Sequence, residues 1–365
     1  MKYSKLIKRL YFPYVIGWTL SFFLFTIFRG VGTIPTGTLK IDLYEGMLLS
    51  LIVGPLCGFL SAVNQQYFER LVNKRLGPLY QLVSFKLLNT LFLLLFISII
   101  SYSVLSAIKK EMIDIRSFAF QPESFVAYLY ILITDTFLSL FRKISILLGE
   151  VKIWRLLNGT YYVPRQEEKI FLFIDLRSST SIAETLGHLQ YSRLLQDIFN
   201  DISIIEKYDG EVYQYIGDEI VFTWDSVNST AVNKAICSFL DFQNLLKDRS
   251  EKYIQKYGIV PTLKAGMHAG IVTAVEVGKN KKEIAYHGDT INTASRIQDT
   301  CNTFGENFMV SQSIADAVNS NLQFSLQKIT DMKLQGKSVE TTLYAVHNAN
   351  DVLTQKTEMK LVSIL

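Results

Sequence analysis

Four long stretches nearly free of charge dominate the first 141 residues: Tyr11 to Phe28, Gly46 to Val63, Leu87 to Ile108 and Ser124 to Phe141. Each is about as long as the roughly 17–25 residues a helix needs to cross a hydrocarbon core. One such run could be a buried helix of a soluble protein, but four in succession predict a membrane bundle over residues 1–141, with spans near 11–28, 46–63, 87–108 and 124–141. The apolar excess of the chain, 49% hydrophobic residues among 365, is concentrated there. Lys2, Lys5, Lys8 and Arg9 precede the first run, Arg70, Lys74 and Arg75 separate the second from the third, and Arg142, Lys143, Lys152 and Arg155 follow the fourth. The other loops are poorer in basic residues or balance them with acids, as in Lys109, Lys110, Glu111 and Asp114. The positive-inside rule then predicts an integral protein of the cell membrane, with both termini and the rest of the chain in the cytoplasm. The first run is too long for a cleaved signal, and no small-residue cleavage site follows it. Asp135 interrupts the fourth run, where an ionised carboxylate needs an interior position or a partner.

The net charge of +4 is accounted for by these flanking residues, and no basic stripe argues for nucleic acid. Cys57, Cys237 and Cys301 are too far apart for a disulfide framework or a metal-binding pair, which fits a reducing compartment. Beyond Arg142 the sequence becomes charged. Leu147, Val151 and Trp154 recur at helical spacing up to Asn158-Gly159, so residues 142–165 read as a juxtamembrane helix, either a spacer or a coil joining two subunits. Residues 166–348 then alternate strands and helices, leaving a tail at 349–365. Strands are expected at Lys169–Ile174, Glu211–Ile216, Ile220–Trp224, within Thr262–Val277 and at Thr341–Val346. Helices are expected at Thr180–Lys207, Thr230–Leu246 and Asn292–Cys301. Hairpin and crossover connections with helices to one side suggest an α+β, ferredoxin-like layer.

The strand ending in "FIDLRSST" closes on Asp175, which would serve equally well as the cap of the next helix. Asp218 sits in the hairpin turn Gly217-Asp218-Glu219. If the two strands are neighbours, both acids project from one sheet edge. A few hard oxygen ligands on rigid backbone suit Mg²⁺, which completes its shell with water and phosphate oxygens. The turn Arg177, Ser178, Ser179, Thr180 opens a helix whose N–H groups could hold a triphosphate. In "GDTINTASRIQ", Asn292 and Arg296 are four apart and share a helix face, offering an amide and a planar cationic fork. Taken singly, these are also the residues of a helix cap and a solvated surface.

The ordered set "FIDLRSST", "YQYIGDEIVF", "KAGMHAGIV" and "GDTINTASRIQ" resembles the catalytic domain of class III nucleotidyl cyclases, the adenylyl and guanylyl cyclase family. The resemblance implies a homodimer with composite sites at its interface. Asp175 and Asp218, with the Leu176 carbonyl, would bind two Mg²⁺ or Mn²⁺. Asn292 and Arg296 of the partner copy would position the ribose and stabilise charge on the α-phosphate. Arg177, Ser178, Ser179 and Thr180 would contact the phosphates, and Lys337 lies where the family often places a phosphate-binding lysine. The positions that select the base hold Gln214 and Ala285 rather than the lysine and the aspartate or threonine usual for ATP. The implied activity is a membrane-anchored adenylate cyclase converting ATP to cyclic AMP and pyrophosphate. Three alternatives stand beside it: a guanylate cyclase acting on GTP, a membrane receptor whose cyclase-like domain only binds nucleotide, and a diguanylate cyclase, for which "IGDEIVF" alone speaks.

Overall fold

The computed structural model describes residues 10–30, 42–71, 78–110, 114, 118–120, 122–149, 155, 158–319, 323–333 and 340–348. The chain divides into two compact units, Met1–Trp154 and Arg155–Leu365. Among the described residues the first contains four helices, α1 (Phe12–Gly30), α2 (Leu43–Leu71), α3 (Pro78–Lys109) and α4 (Pro122–Leu148). All four are long and apolar enough to cross a membrane. Side chains such as Leu95, Ile99, Phe137 and Leu140 lie exposed on their outer faces, as the hydrocarbon solvent of a bilayer would require.

Close approach of α1 and α2 depends on glycine. A Cβ on Gly54 would lie 2.6 Å from the Thr19 Cα, and one on Gly58 2.4 Å from the Val15 Cα. Small residues let two backbones pack directly where no water drives association. Polar contacts add to this packing. The Trp18 indole donates to Ser61 at 3.0 Å, and the Ser21 hydroxyl lies 2.8 Å from both Tyr130 and Thr134. Asp135 is buried inside this unit, where the Thr90 hydroxyl donates to it at 3.4 Å. The fourth helix runs unbroken through Leu148, so Arg142–Leu148 continue the last span instead of opening a separate helix. Of the rest of the expected linker helix, residues 158–164 form turns and bends rather than helix, and residues 150–154, 156 and 157, the basic residues before the first span and the tail 349–365 lie outside the described residues.

The second unit is built on an eight-stranded mixed sheet of order β2-β3-β1-β4-β6-β8-β7, with β5 paired to the far half of β4. The strands are β1 (Arg165–Leu176), β2 (Glu211–Ile216), β3 (Glu219–Trp224), β4 (Leu263–Val277), β5 (Glu283–His287), β6 (Phe308–Ser311), β7 (Phe324–Met332) and β8 (Thr341–Asn348). The helices are α5 (Ser179–Ile202), α6 (Ser229–Asp248), α7 (Ser250–Tyr257), α8 (Asp289–Phe304) and α9 (Gln312–Ala317). β1 is buried on both faces, which explains its continuous apolar run. Ile170, Leu172 and Ile174 join a core with Leu194 and Ile198 of α5 and Phe239 of α6. Phe171 and Phe173, pointing the other way, join Val221, Tyr286 and Ala294.

The helices therefore do not keep to one side. α8 covers the face opposite α5 and α6, a correction to the one-sided layer expected from sequence. Its approach is made possible by Gly266, where a Cβ would meet the Gln298 nitrogen at 2.2 Å. The long helix expected at Thr180–Lys207 is also interrupted. Gly187 adopts φ 70°, ψ 161°, a conformation glycine reaches without steric cost, and a 3₁₀ turn replaces the α-helix from Ser203 to Tyr208.

Candidate active site

The edge at which β1 ends is where the predicted acids meet. β1 pairs antiparallel with β3, Ile174 opposite Ile220, while β2 and β3 form a two-residue hairpin with Ile216 opposite Glu219. Gly217 takes φ 62°, as a tight hairpin of this kind demands. This brings the Asp218 carboxylate against that of Asp175. Burial first, and then the neighbouring Asp218 charge, push the Asp175 carboxyl above its ordinary range, while Lys264 opposes the shift. The Lys264 ammonium stands 3.2 Å from Asp175 Oδ2, and the Gln298 amide donates to the same oxygen at 3.0 Å.

Glu219 adds a third carboxyl at this edge. Burial, then Asp175, Asp299 and Asp218, push its pKa up to about 7. The Tyr191 phenol, on α5, is raised by burial and by the Asp218 charge. Sequence reasoning missed Lys264, Gln298, Glu219 and Tyr191. Glu219 had a signal, since it adjoins Asp218. Lys264 opens the quoted stretch "KAGMHAGIV", but only the β1–β4 register places it opposite Asp175.

The turn after Asp175 is tightly built. Leu176 is buried and closes the ladder opposite Leu263, after which the Arg177 N–H donates to the Thr262 carbonyl at 2.9 Å. Ser178 sits in the left-handed region at φ 55° and α5 begins at Ser179. The first N–H groups of α5, including those of Ser179 and Thr180, therefore lack the preceding helical turn that would accept them. The Arg177 guanidinium is clamped by Asn307 at 3.0 Å, Asn302 at 3.1 Å and the Glu306 carbonyl. It ties the turn to the α8–β6 loop, and a phosphate would have to compete with all three acceptors.

Asn292 is exposed and Arg296 half-buried on α8. Neither forms a side-chain hydrogen bond or ion pair among the described residues, and within one chain the partners of Asp175 are Lys264 and Gln298. Gln214 is exposed on β2 and Ala285 half-buried on β5. Their strands meet through the adjacent tyrosines, Tyr213 and Tyr286, with ring centroids 5.0 Å apart and the Tyr286 N–H donating to the Tyr213 hydroxyl at 3.4 Å. Lys337 lies outside the described residues.

Two adjacent carboxylates in a half-buried edge, short of positive charge, form a donor set that fits a hard divalent cation. Among the described residues no cluster of three or more His, Cys, Asp or Glu side chains has metal-binding geometry, so the fit rests on the two aspartates with backbone and substrate oxygens.

The family described as "Adenylate and Guanylate cyclase catalytic domain" matches residues 161–348. Adenylate cyclase 2 of Rhizobium meliloti (strain 1021) is 31% identical over 196 residues, covering 53% of this chain and 54% of that protein. An adenylate cyclase of Anabaena cylindrica is 30% identical over 182 residues, covering 48% of this chain and 36% of that protein. The chain thus spans about half the length, or less, of these curated relatives. Among solved structures, a bacterial light-regulated adenylyl cyclase superposes with a TM-score of 0.51 at 19% identity, covering 60% of this chain and 64% of that one, a likeness of fold.

Proposed function

Because the chain belongs to the adenylate and guanylate cyclase catalytic-domain family, we propose that it is a membrane-anchored adenylate cyclase converting ATP to 3′,5′-cyclic AMP and pyrophosphate. The observation that carries this reading is the convergence of Asp175, Asp218 and the N-terminus of α5 at one sheet edge. Asp175 and Asp218, with the Leu176 carbonyl, are the groups to hold two Mg²⁺ or Mn²⁺. Bound there, such ions would supply Lewis-acid stabilisation of the attacking and leaving oxygens. The N–H groups of Ser179 and Thr180 offer the triphosphate a helix N-terminus, with Lys337 a further phosphate contact.

Asn292 and Arg296 act from a second copy of the chain, Asn292 orienting the ribose and Arg296 meeting charge that builds on the α-phosphate. Their lack of side-chain partners among the described residues supports this assignment. The 3′-hydroxyl attacks the α-phosphorus of the same nucleotide, so holding the ribose in line is a large part of the task. Gln214 and Ala285 face the base, and the four apolar helices anchor the protein in the cell membrane with the second unit in the cytoplasm.

A guanylate cyclase is the second reading, favoured by Gln214, whose amide can both donate to and accept from a purine edge where the family's ATP users carry lysine. The test is a product assay on the full-length protein in membranes, with ATP or GTP and Mg²⁺ or Mn²⁺. Cyclic AMP with pyrophosphate is the expected result. Cyclic GMP alone would select the second reading, and no cyclic product from either nucleotide would leave a nucleotide-binding module.

A further inference from the structure

We propose that Lys264 is a built-in counter-cation of the acid pair, holding Asp175 in the metal-free site and yielding to the metal, so that it sets how tightly metal binds. The inference rests on the reading of Asp175 and Asp218 as the metal-binding acids. β4 carries Lys264 directly opposite Asp175 in the β1–β4 register, so both side chains leave the same face of the sheet. Lys264 is only 7% exposed, and lysine is almost never so buried unless paired. Its ammonium lies 3.2 Å from Asp175 Oδ2.

Two carboxylates side by side at a half-buried edge repel each other, and the charges that offset this in the chain are few. Lys264 supplies a full positive charge, while Gln298 supplies a neutral amide to the same oxygen. A dication held by Asp175 and Asp218 reverses the sign of the local problem, because the ammonium then faces a like charge. Gln298 can remain where it is. Lys264 must retreat from Oδ2, and its flexible four-carbon stem permits that, unlike the rigid fork of arginine. Lys264 thus favours the metal-free state, and removing its charge should tighten metal binding even though it removes an ion pair.

The decisive measurement is Mn²⁺ binding to the nucleotide-free, full-length protein in detergent, read by the electron paramagnetic resonance signal of free Mn²⁺ and by thermal unfolding with and without the ion. Lys264→Met is expected to lower the Mn²⁺ dissociation constant roughly tenfold, the effect of about one pKa unit of charge interaction. It should also lower the metal-free melting temperature while enlarging the rise on adding Mn²⁺. A purely structural ion pair would lower both melting temperatures equally. Lys264→Arg, which keeps the charge in a fork that cannot retreat, is expected to weaken Mn²⁺ binding and is the variant to read if Lys264→Met does not fold. An unchanged or weaker dissociation constant in Lys264→Met, or an unchanged or tighter one in Lys264→Arg, overturns the proposal. Asp218→Asn separates this failure from that of the underlying reading. If wild type binds no Mn²⁺, or Asp218→Asn binds it as well as wild type, the metal site itself is wrong. An Asp218-dependent site indifferent to Lys264 sinks only the counter-cation.

Discussion

Replacing Gly266 with alanine probes the contact that places Asn292, Arg296 and Gln298. The added Cβ would stand 2.2 Å from the Gln298 nitrogen and 2.6 Å from the Ala294 carbonyl oxygen. Both are backbone atoms, so no side-chain rotation relieves the clash, and α8 must lift from β4 by about 1 Å to restore ordinary contact. Overpacking of this kind costs about 1–3 kcal/mol, or a fall of roughly 2–12 °C in melting temperature for a unit of this size. The functional effect should be larger, because a displacement of about 1 Å in positioning groups can cost on the order of 100-fold in rate. Hydrogen exchange of the peptide 289–304, together with cyclase activity of the full-length protein, measures both. Gly305→Ala is the comparison: it is strained by φ 71° yet has no atom within 4 Å of its Cβ. It should lose about 1–2 kcal/mol without the hundredfold loss of activity. Wild-type exchange and activity in Gly266→Ala would refute the direct seating of α8 on β4.

Arg296→Ala should lower kcat by about 10²–10³ while KM changes little, the signature of a group that meets charge in the transition state; a change confined to KM, seen in steady-state kinetics, would remove it from that role. Mixing Asp218→Ala and Arg296→Ala subunits should restore partial activity through one intact site per heterodimer, and activity no higher than that of either variant alone would argue against a site shared by two copies. The Glu219 carboxyl is pushed from an ordinary 4.5 up to about 7, chiefly by burial. A raised folded-state pKa stabilises fully below the unfolded value and is lost as pH rises through the folded one. The metal-free protein should therefore lose thermal stability between about pH 4.5 and pH 7, and Glu219→Gln should flatten that part of the profile. An identical slope in the variant would show that Glu219 is not the titrating group.

The sequence by itself determined what depends on neighbours along the chain. Hydropathy over about 20 residues marked the four spans, because crossing a bilayer is a requirement of length and apolarity alone. Gly217-Asp218 announced its hairpin because glycine is the residue that tolerates the positive φ of such a turn. Asp175 could be picked out as a single acid closing an apolar strand. Even here, the interruption at Gly187 was not legible, since an isolated glycine inside a helical pattern is compatible with either outcome. The short elements β6 and α9 carry too few residues for periodicity to declare them.

Tertiary structure decided everything that depends on register and on which face a helix covers. Nothing near Lys264 or Gln298 in sequence points to Asp175, yet strand pairing and the seating of α8 put both on one of its oxygens. The same seating turned a one-sided layer into a sheet covered on both faces, and Asn302, Glu306 and Asn307, remote in sequence, came to hold the Arg177 guanidinium. The reason is physical: the charge state of an acid is set by the few groups within several ångströms of it, and a folded sheet gathers those groups from segments about 90 and 120 residues apart in the chain.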